Sequence, residues 1–238
     1  MINKAKELFN KPIDLCRQYR QIQRDNLALQ LIHDFLPLST NYFPATTASI
    51  NPHTLGCILN DIKINQRKYM IEFGGGLSTI SCAKFAKLNN IELQLFTVED
   101  NEEYMHILDK ILREENLINI VHLIYAPLQP TSLSLENTPW YSEAIKDNIG
   151  NTKFDIVLID GPQAWKKHNY LSRFPALPFL LREKLLAENY AIFFDDTNRK
   201  GSQIAIQRWQ NEHKVRFVKL SDVASVSFKG NHFNPILW

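Results

Sequence analysis

The chain has 238 residues, 45% of them hydrophobic and 22% charged, with a formal net charge of +2. That composition suits a folded α/β domain with a real core and excludes disorder as the main state. The near-balanced charge and scattered basic residues argue against a nucleic-acid partner, and Lys166-Lys167-His168 is too short a run to form a phosphate-binding groove. Three widely spaced cysteines, Cys16, Cys57 and Cys82, suggest neither a disulfide framework nor a zinc site. The mixed, charged N-terminus lacks a signal-peptide core, and no apolar run approaches the roughly 20 residues of a membrane span. A cytoplasmic location without membrane contact is therefore expected.

In chain order, apolar residues at Leu27, Leu31, Ile32, Phe35 and Leu36 recur at helical spacing, and Pro37 stops the pattern. Residues 1–40 read as a helical extension, and 41–238 as the main domain. A loop containing Tyr42-Phe43 follows, then a short helix over about Pro52–Asp61 capped by Asn51. Strands are expected over Lys68–Phe73, Glu92–Val98, Ile120–Tyr125, Phe154–Ile159 and Tyr190–Phe194. Helices are expected over Leu77–Leu88, Glu102–Glu115 (capped by Asp100, with Glu103 completing a capping box), near Trp140–Asp147, before Ala187, and over Gln203–His213. Val215–Leu220 and Ala224–Phe228 close the chain as two strands with no helix between them. Alternation of this kind implies a doubly wound, mostly parallel sheet, and the final hairpin implies an antiparallel strand at or near its edge.

Gly74-Gly75-Gly76 directly follows the first strand and opens a helix. Glycines there allow a sharp turn and close approach of a ligand, with the free N–H groups of the helix start facing the same crevice. Glu72 stands two residues earlier, where a carboxylate can meet a cationic amino group. Glu99 ends the second strand, where an acid can accept both ribose hydroxyls. A dinucleotide competes, because Gly74-x-Gly76-x-x-Thr79 is one residue short of GxGxxG. A carboxylate at Glu72 would repel a pyrophosphate and attract an ammonium, which favours a nucleoside joined to an amino acid.

EFGGGLST followed by TVED resembles the first two motifs of class I S-adenosylmethionine-dependent methyltransferases, over about Asn41 to Phe228. The resemblance implies a Rossmann-like, seven-stranded sheet with an antiparallel final strand. It places the methionine end of S-adenosylmethionine on Glu72, Gly74, Gly75, Gly76, Ser78 and Thr79, and the ribose on Glu99 and Asp100. Ala126 would flank adenine, although Ile124-Tyr125 replaces the Gly-Asp that often precedes it.

At the carboxyl ends of the fourth and fifth strands lie Asp160-Gly161-Pro162 and Asp195-Asp196. Metal-dependent O-methyltransferases of the catechol type carry similar acids there. The resemblance implies that Asp160, Asp195 and Asp196 bind Mg²⁺ or act as base, with Lys166, Lys167 or His168 standing in for a lysine missing at the family spacing. Asp160 also falls within the cofactor set. The run from VLIDGP through Arg173 to FFDDTNR and Trp209 resembles a methyltransferase group some of whose members methylate uronic acid units of plant polysaccharides. Arg173 and Arg199 are then available for an anionic substrate, or alternatively pair with Asp160 and Asp196. Trp140 and Trp165, with Tyr42-Phe43, offer aromatic faces to a ligand. The expected activity is O-methylation of a small molecule or glycan, with possible pairing of two copies through the N-terminal helices. The alternatives are a catalytically silent nucleotide-binding domain and an NAD-dependent oxidoreductase.

Overall fold

A computed structural model describes residues 2–36 and 46–237, without the side chains of residues 2–14, 17 and 35. The stop at Pro37 and the Tyr42-Phe43 loop lie outside the described residues. In chain order the elements are α1 (Ile2–Phe35), α2 (Pro52–Ile64), β1 (Tyr69–Phe73), α3 (Leu77–Leu88), β2 (Gln94–Glu99), α4 (Glu102–Glu114) and β3 (Val121–Tyr125). There follow β4 (Leu128–Gln129), β5 (Trp140–Tyr141), α5 (Ala144–Ile149), β6 (Phe154–Ile159), α6 (Ala176–Arg182), β7 (Leu186–Phe194), α7 (Lys200–His213), β8 (Val218–Lys219) and β9 (Ser225–Lys229).

Seven strands form one sheet in the order β3-β2-β1-β6-β7-β9-β8, and β4 pairs separately with β5. The first five of that order run parallel, whereas β9 is antiparallel to both β7 and β8. The antiparallel strand expected at or near the edge thus lies one place in, between β7 and the edge strand β8. The order reverses between β1 and β6, which opens a crevice beyond their carboxyl ends.

Both faces of the sheet are covered, and strand alternation divides the core accordingly. Ile71, Phe73, Val157, Ile159, Ile192 and Phe194 enter one apolar cluster with Trp140, Phe179 and Trp209. Met70, Ile156, Leu158, Ala191 and Phe193 enter the other with Ile58 and Ile80. This is why the fourth predicted strand, interrupted only by Asp155, reads as a near-continuous apolar run rather than an alternating one. α1 lies against α2, with Ala28 buried beside Gly56.

Local chemistry explains where boundaries moved. Asn51 caps α2 by accepting from His53 N and Thr54 N. The cap of α4 is Asn101, not Asp100: Asn101 Oδ1 accepts from Tyr104 N at 3.0 Å. Glu99 turns back to accept from Asp100 N and Asn101 N, so Asp100 stays in the turn and the cap falls one residue later, while the helix starts at Glu102 as expected. The helix expected near Trp140–Asp147 is confined to α5. Trp140 and Tyr141 instead pair with Gln129 and Leu128, because both rings bury against Phe73 at centroid distances of 5.6 and 6.0 Å.

Candidate functional site

The glycine loop rises from β1 and is held from below. Glu72 is fully buried, and its carboxylate accepts from the hydroxyls of Ser78, Thr79 and Thr97, the last two at 2.5 and 3.1 Å. Thr79 in turn accepts from Gly76 N at 2.9 Å, so the carboxylate orients a hydroxyl that orients the loop. Burial pushes the Glu72 pKa up to about 7, against the opposing pull of the three hydroxyls and with a further push from Asp160. The direct ammonium contact expected of Glu72 is therefore not what the structure provides. Its oxygens lie beneath the loop, and neither the attraction to an ammonium nor the repulsion of a pyrophosphate acts at contact range.

Gly74 and Gly161 each have a spatial reason. Gly74 has φ +91°, and a Cβ there would stand 2.8 Å from Gly161 N. A Cβ on Gly161 would stand 2.4 Å from Tyr141 Oη and 2.7 Å from Gly74 Cα. The loops after β1 and β6 thus cross with backbone touching backbone, which joins the cofactor motif to the Asp160 motif. Gly161→Ala is expected to lose roughly 1–3 kcal/mol of stability through this overpacking, read as a lowered urea midpoint at unchanged slope.

Gly75 N donates to Glu99 Oε2 at 3.1 Å, and Ala126 N donates to Glu99 O at 2.9 Å. Glu99 is 8% exposed, with its pKa raised chiefly by burial and also by Asp100. Burial raises Asp100 as well. Glu72, Gly74, Gly75, Gly76, Ser78, Thr79, Glu99, Asp100 and Ala126 are therefore one neighbourhood, gathered from the ends of β1, β2 and β3. Sequence reasoning missed three of its members. Thr97 could have been found, since it sits opposite Glu72 in the parallel register. Tyr104, whose hydroxyl lies 3.3 Å from a Cβ position on Gly76, carries no motif, and neither does Tyr141.

The second cluster lies at the ends of β6 and β7. Asp160, Asp195 and Asp196 each place a carboxylate oxygen within 4.8 Å of the others. Arg173, 5% exposed, runs among them. It donates through Nη2 to Asp160 Oδ1 (3.3 Å), through Nη1 to Asp196 Oδ2 (2.9 Å) and Asp195 O (3.3 Å), and through Nε to Pro162 O (3.1 Å). Arg199 pairs with Asp196 Oδ2 at 2.9 Å. Burial raises Asp195 well above the carboxylate range, with Asp160 and Asp196 adding to it, and Asp195 Oδ1 has no hydrogen-bond partner among the described residues. Burial also raises Asp160, opposed by Arg173.

The oxygen donors are of the kind a hard cation prefers. Two of the three carboxylates already face guanidinium groups, however, and a divalent ion placed among them would be repelled by Arg173. The cluster as built does not fit Mg²⁺. Arg173 is likewise unavailable to an anionic substrate, since all three of its nitrogens are engaged with the protein; the ion-pair alternative is the one observed. Lys166, Lys167 and His168 are exposed, and the aspartates face Arg173 and Arg199 instead. Trp140 is buried core rather than a recognition face, because its ring packs on Phe73 and Phe179; Trp165 is 64% exposed.

Sheet order, the antiparallel β9 and the position of the glycine loop define the Rossmann-like methyltransferase fold. A dinucleotide-binding sheet in the order 3-2-1-4-5-6 has no such inserted strand. Solved structures agree. A methyltransferase of Podospora anserina bound to SAH superposes with a TM-score of 0.56 at 12% identity, covering 94% of this chain and 96% of that one. An O-methyltransferase of Bacillus cereus in complex with SAH superposes with a TM-score of 0.52 at 18% identity, covering 90% and 97%. No family model and no curated protein matches the chain. All three cysteines are free, and no described helix is long and apolar enough to cross a membrane.

Proposed function

We propose that the chain is an S-adenosylmethionine-dependent methyltransferase acting on a hydroxyl oxygen of a small molecule or glycan. The observation that carries this reading is the glycine loop at the switch point of a methyltransferase fold, with Glu99 on one side and Asp160 on the other. The methionine end lies over Gly74–Gly76 and the start of α3, where helix amides favour its carboxylate. Glu72 serves the cofactor by holding the loop. Glu99 turns from the backbone to the ribose hydroxyls, Asp100 stands beside it, and Ala126 flanks adenine.

S-adenosylmethionine held by these residues would supply an electrophilic methyl group to an acceptor oxygen, with sulfur as the leaving group. Asp160, which burial makes more basic than an exposed aspartate, would take the acceptor proton. Arg173 supplies fixed positive charge to the cluster, so that no divalent ion takes part, and Asp195 and Asp196 complete its setting. The outer face of Arg199, 37% exposed, is the group left for an anionic acceptor such as a uronic acid.

We further assign residues 1–40 to pairing and 41–238 to methyl transfer. Leu15, Tyr19, Ile22 and Leu29 are exposed at near-heptad spacing on α1, while Ala28 faces α2, and a second copy of α1 would cover that stripe. Light scattering should then give a dimer mass that Tyr19→Glu/Ile22→Glu reduces to a monomer mass.

Titration calorimetry tests the cofactor. Micromolar binding of S-adenosylhomocysteine without binding of NAD is expected, and the reverse pattern would overturn the assignment. Given an acceptor found by screening sugars, phenols and small acids, activity is expected to survive EDTA and to vanish in Asp160→Asn with cofactor affinity retained. Binding without turnover across such a screen would make the chain a silent nucleotide-binding domain.

A further inference from the structure

Tyr141 belongs to no motif, yet its hydroxyl lies buried beside Gly161, where the two glycine loops cross. β5 delivers it from the segment just past β3, and Ser142 N, donating to Pro127 O at 3.0 Å, ties that segment down. The ring stacks on Phe73 at 6.0 Å and meets Trp140 edge-on at 5.6 Å, which fixes the direction of the phenol. It points at the crossing of the two glycine loops, where a Cβ on Gly161 would stand 2.4 Å from Oη.

Tyr141 is 2% exposed, and its Oη has no hydrogen-bond partner among the described residues. A buried hydroxyl left unpaired forfeits its hydration without return, so folded proteins rarely keep one without a use. Packing does not supply that use: the ring already satisfies it, and phenylalanine would do as well. Burial first, then Glu99, Asp100 and Asp160, hold the phenol proton in place against Arg173. The hydroxyl is therefore present as both donor and acceptor at neutral pH.

We propose that the Tyr141 hydroxyl is a cofactor-binding group, which gains its hydrogen-bond partner when S-adenosylmethionine lies across the glycine loop. This rests on the methyltransferase reading and adds to it a contact from outside the sequence motifs. Gly161 is what lets the hydroxyl come up to the loop crossing, since a side chain there would stand in its way, and Gly74 lets the Gly161 backbone close onto the cofactor loop.

Tyr141→Phe isolates the hydroxyl, because it preserves the ring and its stacking. Wild type and variant would be titrated with S-adenosylmethionine and with S-adenosylhomocysteine, and both melted without ligand. The expected result is a ligand-free melting temperature equal to or above that of the wild type, with a dissociation constant raised about three- to tenfold for at least one ligand. Unchanged affinity for both ligands overturns the proposal. So does a lowered ligand-free melting temperature, which would show that the hydroxyl serves the fold. A wild-type chain that binds neither ligand fails earlier, at the methyltransferase reading, and takes the proposal with it.

Discussion

Replacing Arg173 with methionine is expected to lower stability by about 3–5 kcal/mol, a large share of the roughly 5–15 kcal/mol that holds a domain of this kind together. Methionine matches the bulk of the side chain and removes its charge. Asp160, Asp195 and Asp196 would then face one another within 4.8 Å with Arg199 as their remaining cation, and Pro162 O and Asp195 O would lose their donor. Lysine should recover only part of the loss. One ammonium cannot serve two carboxylates and two carbonyls spread around a planar fork. Urea denaturation of Arg173→Met, of Arg173→Lys, and of Arg173→Met combined with Asp160→Asn and Asp196→Asn would check this. The combined variant should be more stable than Arg173→Met alone, because the repulsion is removed along with the cation. An Arg173→Met variant within 1 kcal/mol of wild type would show that the cluster does not depend on its guanidinium.

The second large effect is a dependence on pH. Glu72 titrates near 4.5 when unfolded and at about 7 when buried, so the folded state holds the proton more tightly. Its contribution is fully present below the unfolded value and is lost as pH rises through the folded one. Between pH 5 and pH 8, the ligand-free wild type should therefore lose about 3 kcal/mol that Glu72→Gln does not lose. Asp160, Asp195 and Glu99 are raised in the same direction, so the difference between the two proteins, not the wild-type slope alone, isolates Glu72. Glutamine can still accept from Thr79 and Thr97, while Ser78 turns its hydroxyl to accept from the amide. Parallel stability curves for the two proteins across this range would refute the assignment.

The order of elements was legible because it is written in short-range patterns. Leu77–Leu88 and Phe154–Ile159 were predicted to the residue, since a glycine turn, an apolar run and a cap each act within a few positions. Cys82 reads equally well as a small buried hydrophobe, and burial raises its thiol well above the ordinary range. The cap of α4 was misplaced by one residue, because Glu99 takes the amides of Asp100 and Asn101 and holds both in the turn, leaving Asn101 to accept from Tyr104 N, and nothing in the local pattern shows which way the Glu99 side chain turns.

The glycine loop, its neighbouring acids and the aspartate pair at the fifth strand were thus determined by sequence alone, as was the parallel sheet that gathers them. Tertiary structure decided what those groups face. Glu72 meets hydroxyls rather than a ligand, Arg173 neutralises Asp160 and Asp196 rather than an acceptor, and Tyr141 arrives from an irregular stretch to end beside Gly161. Each of these outcomes depends on partners drawn from different strands. A pairwise distance between strand ends is set by the packing of the whole sheet, and no periodicity along the chain encodes it.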